Sequence, residues 1–94
     1  MVKADDRAII TVLGRDRVGI LAGITGVLAS ANVNILDISQ TILQEFFTMI
    51  MIVDLEKGTL NFTALQEQLN LKGQELGVQV NMQKAEVFKF MHRI

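Results

Sequence analysis

The stretch Leu13-Gly14-Arg15-Asp16-Arg17-Val18-Gly19-Ile20-Leu21 decides how this chain is read, because it turns a β-branched, strand-like run directly into a charge-free helical run. Upstream, Ala8-Ile9-Ile10-Thr11-Val12-Leu13 reads as a first strand. Downstream, Ile20, Leu21, Ile24, Val27, Leu28 and Ala31 recur at helical spacing. Asp16 offers a side-chain N-cap to this helix, which is expected to end near Asn32. Where a strand feeds a helix, free backbone amides and the positive end of the helix dipole face one point, so the junction suits a carboxylate or phosphate.

Beyond Asn32, Val33 to Leu43 and Phe46 to Leu55 read as two strands separated only by Gln44-Glu45. That spacing fits a tight hairpin, although neither residue favours a primed turn. Asn61 is suited to cap a second helix with Phe62, Leu65, Leu69 and Leu76 inward, Gln66, Glu67 and Gln74 outward, and Gly77 as its stop. Val78, Val80 and Met82 then alternate with Gln79, Asn81 and Gln83 in a fourth strand. Val87, Phe90, Met91 and Ile94 suggest a short C-terminal helix over 85–94, and residues 1–6 are expected to form a flexible arm.

The order βαββαβ predicts an α+β fold of ferredoxin-like type: a four-stranded antiparallel sheet, strand order 4-1-3-2, with two helices on one face. The first and third strands are apolar in both registers, as central strands are, whereas the fourth alternates as an edge strand does. Because the helices cover one face, the apolar run Phe46 to Val53 leaves the other in need of a cover. Either segment 86–94 or a second subunit would supply it, and a homodimer is expected.

Composition limits the function. The 94 residues, half of them hydrophobic, suit one small domain with one core. Nine basic against ten acidic residues give a net charge of −1, which removes the electrostatic basis for nucleic-acid binding. Phe46 and Phe47 are adjacent and so point to opposite faces of the sheet, which leaves no pair of aromatics to stack bases. Without cysteine there is no disulfide, thiolate metal site or Cys nucleophile. The uncharged run Val18 to Ala31 falls short of the roughly 20 residues needed to span a bilayer. Met1 to Arg7 is polar, without the apolar core of a signal peptide, so a cytoplasmic location is expected. No paired-carboxylate or metal-ligand spacing is present, His92 is the only histidine, and Gly19, Gly23 and Gly26 form neither G-x-G-x-x-G nor a P-loop. Close helix–sheet packing is the structural reading of those three glycines. The chain is therefore expected to be non-catalytic, with no cofactor, metal, nucleic acid or membrane partner.

Gly14-Arg15-Asp16-Arg17-Val18-Gly19-Ile20-Leu21-Ala22 after a strand, Asn32-Val33-Asn34-Ile35 at the start of the next, then Asp37-Ile38-Ser39-Gln40-Thr41 and Phe46-Phe47-Thr48-Met49, resemble the ACT domain over nearly the whole of residues 1–94. The similarity is to short, stand-alone bacterial members, with glycine-cleavage repressors and formyltetrahydrofolate deformylases as further relatives. The resemblance implies a homodimer that binds an amino acid or related metabolite where the first strand–helix loop of one subunit meets the second strand of its partner, and that acts on a separate protein. Carried over by position, the ligand-binding residues are Gly14, Asp16, Arg17 and Gly19 from the loop and Asn34 from the strand. Amino-acid-binding relatives often carry His or Asn where Gly14 and Asp16 stand, and Pro in place of Val18. Asp16 would repel a carboxylate, which leaves it the roles of helix cap or partner for an amine. The alternatives are an assembly module without a ligand, or an acylphosphatase-like hydrolase using Arg15 or Arg17 with Asn34.

Overall fold

The computed structural model describes residues 6–85. Six elements follow in order: β1 (Arg7–Arg15), α1 (Ile20–Ser30), β2 (Asn34–Leu43), β3 (Phe46–Asp54), α2 (Phe62–Leu76) and β4 (Val78–Lys84). The sheet runs β2-β3-β1-β4 with every pairing antiparallel, which is the expected order read from the other edge. The expected N-terminal arm and C-terminal helix lie outside the described residues, apart from Asp6 and Ala85.

Alternation along the strands builds one core between sheet and helices. Ile10 and Val12 of β1 and Met49, Met51 and Val53 of β3 point into it, where they meet Ile20, Ile24 and Leu28 of α1 and Leu65 and Leu69 of α2. Each side chain buried this fully contributes roughly 1.5–3 kcal/mol relative to an exposed position. Leu21, expected on the inward stripe, is exposed instead. It follows Ile20 by 100° around the helix, and that step turns it to the flank of α1.

The helix ends follow local chemistry. Asn61 Oδ1 accepts from Ala64 N at 2.8 Å, and Gly77 closes α2 at φ 77°. At the end of α1, Asn32 takes φ 59° while Val33 N donates to Leu28 O and Asn32 N to Ala29 O, the paired bonds of a Schellman motif. The hairpin forms as its spacing predicts, despite its unfavourable turn residues. Gln44 adopts φ 58°, held there by the flanking ladder pair of Leu43 with Phe46.

The start of α1 corrects an expectation. Asp16 does not cap the helix: the N-cap is Gly19 at φ 97°, and no side chain bonds to it. β1 runs two residues past Leu13, pairing Gly14 with Phe47 and Arg15 with Phe46, and the loop then carries Asp16 away from the helix start. The packing reading of the glycines also changes. Gly23 packs against the other helix rather than the sheet, since a Cβ there would stand 2.9 Å from Leu76 Cδ1. Nothing crowds Gly26, and Gly19 is required by its positive φ and not by space.

Candidate functional site

The β1–α1 junction is open at the helix and braced on both sides. Gly19 N-caps α1 in the left-handed region, no acidic residue occupies the first turn, and nothing lies within 4 Å of a Cβ built on it. The first-turn amides therefore have no side-chain partner at the positive end of the helix dipole. Val18, the apolar residue beside this opening, is 96% exposed.

Three contacts brace the loop. Arg17 Nη1 donates to the carbonyl oxygen of Leu76 at 3.1 Å, which neutralises the negative end of the α2 dipole. Asp16 N donates to Glu45 O at 2.8 Å, and Arg15 Nη1 lies 3.3 Å from Glu45 Oε1, so the tip of the β2–β3 hairpin is fastened to the loop. The Asp16 side chain is exposed and makes no bond among the described residues, in contrast to the committed guanidinium of Arg17. Gly14 has a packing reason: a Cβ there would stand 2.7 Å from Val78 Cγ1 and 3.0 Å from Val78 Cα, so its absence lets β4 lie close.

Asn34 lies elsewhere in the chain. It pairs with Asp54 at one end of β3, whereas Arg15 pairs with Phe46 at the other. The eight residue steps from Phe46 to Asp54 span about 26 Å. Gly14, Asp16, Arg17 and Gly19 thus share one end of the sheet, and Asn34 lines a separate polar hollow of about 650 Å³ with Asn32, Asp54, Glu56 and Lys57. An acylphosphatase-like centre needs Arg and Asn to converge within one chain, and here they do not.

Sequence reasoning missed Glu45, Leu76 and Val18. Glu45 and Leu76 each accept a bond from the loop at a main-chain oxygen, which every residue type carries, and only the Arg15–Glu45 ion pair uses the side chain of Glu45. Val18 carried a signal, an apolar residue set between Arg17 and a helix-starting glycine.

The outer flank of the α1 side is also distinctive. β2 is an unpaired edge of ten residues that contains neither Pro nor Lys, and Leu36, Ile38 and Ile42 are exposed along it. α1 beside it carries no charged residue, and Leu21 is exposed there. Natural edge strands are usually blunted by charge, proline or a bulge, and this one carries only a single charge, Asp37, beside a register shift at Ile35/Asp37. Among the described residues, no helix is long and apolar enough to cross a membrane.

Comparison with known proteins agrees with this architecture. The ACT domain family profile matches residues 6–83. A UPF0237 protein of Methanocaldococcus jannaschii is 52% identical over 94% of this chain and 98% of its own length. The ACT domain protein of Streptococcus pneumoniae superposes with a TM-score of 0.77 at 45% identity, covering 87% of this chain and 92% of that one. A protein assigned as a glycine cleavage system transcriptional repressor superposes with a TM-score of 0.72 at 26% identity, covering 83% of this chain and 44% of that one. Sequence and structure together show that the chain belongs to the ACT domain family, a regulatory, ligand-binding type of domain.

Proposed function

We propose that this chain is a non-catalytic sensor that pairs with a second copy along β2 and holds an amino acid at the N-terminus of α1, reporting its presence to a separate protein. The observation that carries this reading is the open, uncapped start of α1 at Gly19. Its amides suit the ligand's carboxylate, and the unbonded Asp16 carboxylate nearby suits the ammonium. Gly14 and Arg17 support the site by packing and bracing the loop.

Pairing answers the separation of Asn34 from the loop. Two copies of β2 joined antiparallel about a two-fold axis set the start of one strand beside the end of the other. The partner subunit's Asn34 is thereby brought to the end of the sheet that bears the first chain's loop. Its amide offers both donors and an acceptor to a zwitterionic ligand. The same pairing buries the exposed Ile38 and Ile42 and satisfies the free edge of β2.

A thermal-shift screen of the twenty amino acids and folates tests the reading. A true ligand at a hundredfold excess over its Kd raises stability by about 2.7 kcal/mol. A flat screen leaves the dimer as an assembly module without a ligand.

A further inference from the structure

The face of the sheet turned away from both helices has no cover among the described residues, and its exposure is uneven. Toward one end Leu13, Phe46 and Ile50 are 51%, 47% and 47% exposed, whereas Ile9 and Ile52, paired in register at the other end, are half-buried. The chain leaves the sheet at that half-buried end. β4 finishes at Lys84 opposite Ala8, and Ala85, beyond the last ladder pair, is only 8% exposed.

We propose that segment 86–94 lies across this face from β4 toward β2 and is its cover. The nine residues Glu86-Val87-Phe88-Lys89-Phe90-Met91-His92-Arg93-Ile94 include five large apolar side chains, enough to sit on Ile9 and Ile52. As a helix the segment is about 13.5 Å long, and crossing from β4 to β2 takes three strand spacings, about 14 Å. The row of the sheet it would follow runs Gln83, Ile9, Ile52, Asp37. Asp37 at the far rim complements Lys89 and Arg93 in charge. The segment is also shared beyond this chain. The 88-residue match to the Methanocaldococcus jannaschii relative cannot fit within residues 1–85, so it extends into it. A face covered in this way is closed to a second copy, which leaves the β2 edge for pairing. The proposal rests on neither a ligand nor that pairing.

The chain has no cysteine, so single thiols report cleanly. Ile52→Cys probes the half-buried end of the face in the full chain, Ile9→Cys repeats the probe, and Thr63→Cys on the exposed side of α2 is the reference. Positions 9 and 52 are expected to react with a soluble maleimide about tenfold more slowly than position 63. This protection should persist on dilution and be lost when Phe88→Asp and Phe90→Asp are added. Equal rates overturn the proposal, as does protection that survives both Asp substitutions. Protection that disappears on dilution overturns it too, because a second copy is then the cover.

Discussion

The guanidinium of Arg17 donates to the carbonyl oxygen of Leu76 at 3.1 Å, joining the loop that opens α1 to the last turn of α2 across 59 residues of sequence. One contact thereby holds the candidate site against the domain's other helix. Arg17→Ala removes a cation from a helix C-terminus and is expected to lower stability by about 0.3–1 kcal/mol. Urea denaturation at low and high salt measures it, and the difference should shrink as salt rises.

Asp16 and Asn61 make a matched pair for testing capping. Asn61 Oδ1 bonds to Ala64 N, whereas no side chain caps α1. Asn61→Ala should cost about 1 kcal/mol, while Asp16→Ala should stay within about 0.5 kcal/mol of the parent. Equal losses in chemical denaturation would return Asp16 to a capping role.

Gly14 and Gly19 are required for different reasons, and substitution separates them. Gly14→Ala drives a Cβ into Val78 and should cost about 1–3 kcal/mol, partly recovered by adding Val78→Ala because Val78 Cγ1 is the nearest atom. Gly19→Ala meets no neighbour, and its expected cost of about 1–2 kcal/mol comes from the positive φ alone. Val78→Ala should give Gly19→Ala no relief. Thermal or urea unfolding of the four variants resolves the pattern.

The β2 edge predicts the oligomeric state. Ile38→Lys with Ile42→Lys places charge on an exposed edge without disturbing the buried core. Sedimentation velocity should show a dimer for the parent and a folded monomer for the double variant. An unchanged dimer would move the pairing surface elsewhere.

The fold was legible because its periodicities are long and agree with one another. Alternation in β1 and β3, the α1 stripe and the cap at Asn61 each specify an element, and their order specifies the sheet. Local geometry was less legible where backbone conformation outweighed side-chain preference. Asp16 is a good capping type, but β1 continues through Gly14 and Arg15 and moves it out of place. The hairpin at Gln44 formed against turn propensity because long flanking ladders outweigh one strained residue. The candidate site was legible as a loop. Its bracing was not, because the bonds from Asp16 N to Glu45 and from Arg17 to Leu76 engage main-chain oxygens that no residue pattern announces, and the Arg15–Glu45 ion pair joins the end of β1 to the β2–β3 hairpin.

If two chains share each ligand site, two variants defective in different halves of the site should complement one another in a mixed dimer. Gly19→Asp places a carboxylate at the opening of α1, and Asn34→Ala removes the strand's contribution from the other end of the sheet. Both variants should remain dimeric, as sedimentation checks, and each alone should fail to bind the amino acid found by the screen. In a mixed dimer, one site combines an intact loop with an intact Asn34. Calorimetric titration of an equal, fully exchanged mixture should therefore recover about a quarter of the parent's binding sites. A mixture as inactive as its components, or full binding by the Asn34→Ala dimer alone, would contradict the shared site.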